Sequence, residues 1–301
     1  MNLKKVIRLA FGLLLVAFLL YRFGPAEVAQ VILSAGPEYV VMAVSVYAIT
    51  FIILSTRWRL ILKDMGENLS PLSAYRAFAG GMILSDITPA RIGEFSRPLL
   101  VRDEIKIGIG LASVVLDRLS DILTMLILGA CGLAIFFRDR AELIAVPLML
   151  AIVAMVSAAI LHSRGAIIER LRRSDRLAPI ALFFDSISAV NDIGAVMTRS
   201  VLLTVIAWIT HALRVYLLAI SVNQEPSFQM LFLLLPLVSA LSLIPLSISG
   251  LGLVEGGLAA LLASQGIPAS AGLSIAFMDR IVTVAFHIIA GWGAASRVLW
   301  Y

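Results

Sequence analysis

The chain has few of the residues that build disulfide, metal and cofactor sites. Its single cysteine, Cys131, lies in an apolar run, which excludes a disulfide framework and a thiolate metal site. The three histidines are scattered and show no metal-ligand spacing. Charged residues make up 14% of the 301 residues, whereas a soluble domain has roughly 25%. We therefore expect no metal and no cofactor.

Familiar enzyme motifs are also missing. The sequence has no H-E-x-x-H and no G-x-S-x-G, and its clustered glycines after residue 249 precede no phosphate-binding lysine. The net charge of +5 is better explained by loops that face anionic lipid than by nucleic acid. We expect no enzymatic activity and no nucleic-acid partner. An intramembrane enzyme that acts on a lipid phosphate stays open as an alternative.

Apolar sequence is what the chain has in abundance. Hydrophobic residues make up 60% of it, which predicts an integral helical membrane protein. Six full spans are expected, over about residues 1–23, 38–62, 109–137, 141–161, 201–222 and 271–296. The first span is expected to be retained, because no small-x-small cleavage site follows it. A basic amphipathic connector, about residues 163–200, is expected on the cytoplasmic surface.

A short apolar stretch ends at a polar turn in the first half. Ala77–Ile87 reaches roughly half of a 30 Å hydrocarbon core, and Ile92–Val101 is similarly short. Between them, Thr88-Pro89 is a helix start signal. We predict a re-entrant hairpin whose second helix begins at membrane depth. The positive end of its dipole would attract anions.

A second interrupted stretch lies in the other half. Phe228–Ile248 contains two prolines and is followed by Gly250 and Gly252, then by a short helix that runs to about Ser264. This pattern predicts a second hairpin, although Phe228–Ile248 is also long enough to be a full span. Gly252 and Gly256 have the small-xxx-small spacing of close helix packing.

The two halves repeat in order. Thr88 and Glu94 precede LASVVLDRLSDIL, and Ser249 and Glu255 precede GLSIAFMDRIVTV. The equivalent positions are offset by 160 to 162 residues and pair as Thr50/Thr210, Glu94/Glu255, Asp117/Asp279 and Arg118/Arg280. The predicted organisation is a single transmembrane domain with repeat 1 at about 38–137 and repeat 2 at about 201–297.

The charge distribution gives the orientation of the repeats. With a cytoplasmic N-terminus, sixteen of the 24 Lys and Arg fall on the cytoplasmic side, namely Lys4, Lys5, Arg8, Arg57, Arg59, Lys63, Arg76, Arg102, Lys106, Arg164, Arg170, Arg172, Arg173, Arg176, Arg199 and Arg297. Only Arg22, Arg138 and Arg140 fall outside. The hairpins then enter from opposite sides, which makes the repeats inverted, a signature of secondary transporters. We predict a multi-pass protein of a bacterial inner (cytoplasmic) membrane with both termini in the cytoplasm.

Ionisable residues at membrane depth are the candidate substrate-binding residues. A charge there costs about 2.5–3.5 kcal/mol unless it faces a cavity or a partner. The candidates are Arg91, Glu94, Arg97, Asp117, Arg118, His211, Arg214, Glu255, Asp279 and Arg280. Arg91 and Arg97 are expected to hold an anion, and the acidic residues to set the charge of the cavity. Alternatively, these charges neutralise one another and only lock the hairpins.

Two motifs carry a resemblance to a known family. TPARIGEFSRPLLV with LDRLSDIL, and SISGLGLVEGGLAALL with MDRIVTV, resemble the flippase-like membrane region of lysylphosphatidylglycerol synthases and the stand-alone proteins grouped with it. The motif residues that match are Thr88, Pro89, Arg91, Gly93, Glu94, Arg97, Gly250, Gly252, Glu255 and Gly256.

The resemblance implies translocation of a lipid between leaflets. In the fused enzymes the lipid is aminoacylated phosphatidylglycerol, and other stand-alone members are associated with polyprenyl-linked glycans or hopanoids. This chain ends at Tyr301 without an aminoacyl-transferase domain, so we expect no synthase activity.

The combined prediction is an all-α polytopic membrane protein with about six full transmembrane helices and two re-entrant hairpins in inverted repeats. Its predicted function is to move a phospholipid or polyprenyl-type lipid with a phosphate headgroup between leaflets. The alternative is an accessory subunit that presents lipid to a separate glycosyltransferase or synthase. A lipid-modifying enzyme is therefore an expected partner, besides the membrane lipid itself.

Overall fold

The computed structural model describes residues 3–137, 190 and 192–299, and this part of the chain is built from helices. Ten α-helices occupy it: α1 (Leu3–Phe23), α2 (Pro25–Leu33), α3 (Pro37–Asp64), α4 (Pro71–Asp86), α5 (Arg97–Leu100), α6 (Ile107–Phe136), α7 (Ile193–Ile220), α8 (Phe228–Ala240), α9 (Leu253–Ala263) and α10 (Ala269–Leu299). Four of them, α3, α6, α7 and α10, are long and apolar enough to cross a membrane. The predicted all-α polytopic fold is confirmed.

The ends of the chain differ from the prediction in detail. A fifth span forms only if α1 and α2 count together, and they meet at 87°. The bend lies at Gly24, which has a φ of 82°, and at Pro25, which starts the new helix. The predicted span 141–161 and the connector up to residue 189 lie outside the described residues. The end of that connector is in fact the start of α7, which Asp192 caps by accepting a 2.9 Å hydrogen bond from the Ala195 N–H.

The first hairpin differs most from its prediction. Its first helix, α4, begins six residues early at Pro71 behind the Ser70 cap. The predicted helix start at Thr88-Pro89 is wrong, because Ala90 and Arg91 are left-handed, with φ of 53° and 55°. Helical structure resumes only as a 3-10 helix, Ile92–Ser96, followed by the single turn of α5. Pro98 has no N–H to donate, so a continuous α-helix cannot form here.

Thr88 and Gly93 close the tip of this hairpin. The Thr88 hydroxyl accepts a hydrogen bond of 2.8 Å from the Gly93 N–H and donates one of 2.9 Å to the Leu84 carbonyl. A Cβ on Gly93 would lie 2.1 Å from the backbone carbon of Leu84. Only glycine therefore lets the two arms of the hairpin approach so closely.

The second hairpin resolves the alternative that the sequence left open. Phe228–Ile248 is not one span, because α8 ends at Ala240 and a short 3-10 turn follows it. A helix of 13 residues reaches roughly 20 Å, well short of a 30 Å core. Gly252 lies against α1, since a Cβ there would be 2.9 Å from the Cβ of Leu15.

The halves interlock through reciprocal contacts. The α3 helix packs along α7, α4 of the first half packs along α10 of the second, and α8 of the second packs along α6 of the first. Equivalent residues also meet each other: Thr50 donates a 2.8 Å hydrogen bond to Thr210, and the Ser249 N–H donates one of 3.2 Å to the Thr88 carbonyl. A contact between equivalent positions lies on a two-fold axis, so the tips of both hairpins meet near that axis.

Candidate substrate cavity

A cavity with both apolar and charged walls lies between the hairpin tips and the four long helices. It has a volume of about 130 Å³. Apolar side chains such as Phe51, Leu54 and Trp208 form part of its wall, and charged side chains form the rest. A concave site with a few convergent polar groups is the usual arrangement of a ligand pocket.

The first ion cluster joins α3, the first hairpin and α6. It contains three arginines and three carboxylates, namely Arg57, Arg97, Arg118, Glu94, Asp117 and Asp121. The Nη1 of Arg97 lies 2.7 Å from Asp117 Oδ2, and its Nη2 pairs with Glu94. Arg57 donates from Nε to Asp117 Oδ1 over 2.8 Å. The side chains of Arg97, Glu94 and Asp117 are 0% exposed, so this balanced cluster holds the hairpin in place.

The second ion cluster has the same plan with fewer members. Arg214 grips Asp279 with two hydrogen bonds, Nε to Oδ1 at 2.6 Å and Nη2 to Oδ2 at 3.1 Å. Arg280 pairs with Glu255, just as its repeat equivalent pairs with Glu94. The other oxygen of Glu255 accepts a 2.6 Å hydrogen bond from the Gly252 N–H at the start of α9.

A third group of polar residues joins three helices on another wall. His287 Nδ1 lies 2.6 Å from Asp86 Oδ2, and His287 Nε2 lies 2.5 Å from the Tyr47 hydroxyl. All three residues line the cavity. The ring of His211 is tilted against that of Tyr47, and Arg214 Cζ lies 4.6 Å from the Tyr47 ring centroid.

Arg91 differs from the other cavity arginines. It forms no ion pair with any residue in the described ranges. Its Nε, like those of Arg97 and Arg118, is buried without a hydrogen-bond partner there. It lies at the tip of the first hairpin and lines the cavity. Within the described residues it is therefore a cation that no carboxylate neutralises by direct contact.

The predicted site residues divide into two groups. Seven of them line the cavity: Arg91, Arg118, His211, Arg214, Glu255, Asp279 and Arg280. Glu94, Arg97 and Asp117 are enclosed behind its wall. Arg91, Glu94 and Arg97 are three residues apart in turn, a spacing that predicts one shared face of an α-helix. That prediction is wrong, because a left-handed turn at Arg91 and a 3-10 segment replace the regular α-helix.

Several polar residues of the cavity wall were not among the predicted ones, including Arg57, Asp121, Tyr47, Asp86 and His287. Arg57 was assigned to the cytoplasmic boundary, but its side chain is 1% exposed and pairs with Asp117 and Asp121. Tyr47 and His287 lie inside apolar runs, and Asp86 lies in the charged stretch Ile83–Asp103, but none of the three was among the predicted site residues. Their expected depth in the membrane was the available signal, since polar groups there normally have partners.

Comparison with known proteins places the chain in a group of membrane proteins. The sequence profile of a family described as the lysylphosphatidylglycerol synthase TM region matches residues 5–291. UPF0104 membrane protein MJ1595 of Methanocaldococcus jannaschii is 22% identical, over 96% of this chain and 93% of its own length. UPF0104 membrane protein PH1989 of Pyrococcus horikoshii is 20% identical, over 96% of this chain and 95% of its own length. No solved structure matches the chain.

Proposed function

Because the chain belongs to the family of the lysylphosphatidylglycerol synthase transmembrane region, we propose that it moves a lipid with a phosphate headgroup between membrane leaflets. The headgroup binds in the central cavity, at Arg91. The single observation that carries this proposal is an arginine without an ion-pair partner among the described residues, held in a strained backbone conformation at the cavity wall.

The backbone of Arg91 supports a functional role. It precedes the 3-10 helix of the first hairpin with a φ of 55°, and its repeat equivalent, Gly252, precedes α9 with a φ of 82°. Glycine adopts this conformation without cost, whereas another residue pays about 1–2 kcal/mol. A strained arginine at a position where glycine would adopt the same backbone without strain points to a function at that position.

The chemistry of Arg91 suits a phosphate. A guanidinium offers planar, forked donors that match two phosphate oxygens. The remaining cavity arginines in the described ranges each face a carboxylate, so they are less available to an anion. Both an anionic and a zwitterionic lipid present the phosphate that this site would take.

We further propose a cytoplasmic membrane location, in a bacterial cell, with both termini in the cytoplasm. Arg57 must be removed from the cytoplasmic count because it is buried. Fifteen Lys and Arg then remain on that side against three outside, so the orientation does not change. We propose that transport involves no covalent change to the lipid.

The test is reconstitution of the purified protein alone in liposomes that contain fluorescent phosphatidylglycerol. We expect lipid movement for the wild type and its loss for Arg91→Gln. Arg102→Gln is the matched control, because that side chain is 70% exposed and lies outside the cavity wall. Wild-type activity in Arg91→Gln would contradict the proposal. A lipid of altered mass would favour the intramembrane enzyme, and movement only with a second protein would favour the accessory subunit.

A further inference from the structure

We propose that Asp86, His287 and Tyr47 form a proton-binding site that is coupled to phosphate binding at Arg91. This inference rests on the proposed function and adds a coupling ion to it. The three residues come from α4, α10 and α3, and their side chains form one continuous hydrogen-bonded row along the cavity wall.

The distances define where the hydrogens lie when His287 is neutral. Its Nδ1–H donates to the Asp86 carboxylate over 2.6 Å, and its Nε2 accepts from the Tyr47 hydroxyl over 2.5 Å. One further proton from cavity water can add to Nε2. The Tyr47 hydroxyl then accepts from the new N–H and turns its own O–H towards the cavity. The site thus gains one proton and one positive charge.

The charge balance of the protein explains why this proton would follow the phosphate. Among the residues that the structure describes, the charged groups in and behind the cavity wall are six arginines and six carboxylates: Arg57, Arg91, Arg97, Arg118, Arg214, Arg280, Asp86, Glu94, Asp117, Asp121, Glu255 and Asp279. A phosphodiester, which carries one negative charge, therefore enters a site with no net charge and leaves it with one negative charge. An uncompensated charge is costly at membrane depth, and a proton on His287 restores neutrality. Phosphate and proton thus favour each other's binding.

The surrounding groups select His287 over the other cavity histidine. His211 Nδ1 lies 3.0 Å from Arg214 Nη1. A proton added to the His211 ring would place a positive charge beside the positive guanidinium, which is unfavourable. His287 faces a carboxylate, which favours one. Arg214 of α7 also faces this row, with its Cζ 4.6 Å from the Tyr47 ring centroid, but it is paired with Asp279. The other charged groups of α6, α9 and α10 that line the cavity are held in the two ion clusters, namely Arg118, Asp121, Glu255 and Arg280.

The experiment measures binding of dioctanoyl phosphatidylglycerol to the full chain in detergent, by calorimetry at several pH values. This probe is a phosphodiester and keeps one negative charge throughout, so any pH dependence belongs to the protein. We expect the affinity to fall as the pH rises, by at most about tenfold per pH unit, because one proton is coupled to each lipid bound. Buffers with different heats of ionisation should report about one proton taken up per lipid bound.

Two variants should shift the affinity in opposite directions, which a purely structural role would not do. Asp86→Asn removes a negative charge and mimics the protonated site, so we expect tight binding at every pH. His287→Gln cannot take up the proton, so we expect weak binding at every pH. His211→Gln tests the other cavity histidine, and its affinity should keep the wild-type pH slope. Wild-type binding without a pH slope or proton uptake would overturn this inference and leave the proposed function standing, whereas no binding at any pH would overturn both.

Discussion

Arg97→Met is expected to destabilise the protein strongly, because it breaks a buried ion cluster. The variant leaves three carboxylates facing two arginines, in a region where the partners Glu94 and Asp117 are 0% exposed. Removal of one partner from a buried pair typically costs about 3–5 kcal/mol. The lost contact of Arg97 with the Phe78 ring, 4.0 Å from Cζ to the centroid, adds to this. Asp117→Asn in the same background restores the charge balance and should recover part of the loss.

Thermal unfolding in detergent, followed by tryptophan fluorescence, can measure this effect. Trp58 is a suitable reporter, since its side chain is buried and its ring centroid lies 6.0 Å from Arg97 Cζ. Arg102→Met is the control, and as a surface substitution it should stay within about 0.5 kcal/mol of the wild type. Arg91→Gln should destabilise the protein less than Arg97→Met does, because no described carboxylate loses a direct ion-pair partner. If Arg97→Met is as stable as Arg102→Met, the first ion cluster does not stabilise the first hairpin.

Two further predictions test the packing and the topology. Gly291→Ala should lower the unfolding temperature, because its Cβ would lie 2.5 Å from the backbone of α4. Gly293→Ala is the control: a Cβ there meets open space, so the variant should gain up to about 1 kcal/mol of stability from helix propensity. Equal stabilities of the two variants would contradict the contact between Gly291 and α4. In a Cys131→Ser background, a cysteine at Gln224 should react with an impermeant reagent from outside the cell, and one at Ser174 only after permeabilisation. External labelling at Ser174 would refute the inverted orientation.

Sequence patterns predicted the long helices well, because each is an apolar run with clear ends. The predicted span 38–62 corresponds to α3, Pro37–Asp64, and the span 109–137 to α6, Ile107–Phe136. The repeat offsets were equally informative, since Thr50 and Thr210 do contact each other. Such features depend on local composition and order, which a single sequence contains.

The same sequence patterns did not predict which charged residues pair with each other in the folded protein. Arg57 follows an apolar run and precedes Trp58 and Arg59, so it looks like a residue at the membrane boundary. Its burial follows from Asp117, which is 60 positions away. Similarly, the three-residue steps from Arg91 to Glu94 and from Glu94 to Arg97 indicate one face only if the segment is a regular α-helix. The left-handed turn and Pro98 remove that condition, and neither effect shows in the charge pattern.

The differences between the two halves define where a single substrate would bind. At the offset of 161, Arg91 corresponds to Gly252 and Arg97 to Leu258, so the second half has neither arginine. The scaffold is two-fold in its packing, yet only one hairpin tip carries the cation without an ion-pair partner in the described ranges. That tip lies beside the axis, since Thr88 contacts its own equivalent, Ser249. A site near the axis keeps its place when the two halves exchange roles, which is what alternating access around a fixed site requires. The asymmetry therefore argues for one phosphate headgroup per cavity, held at Arg91.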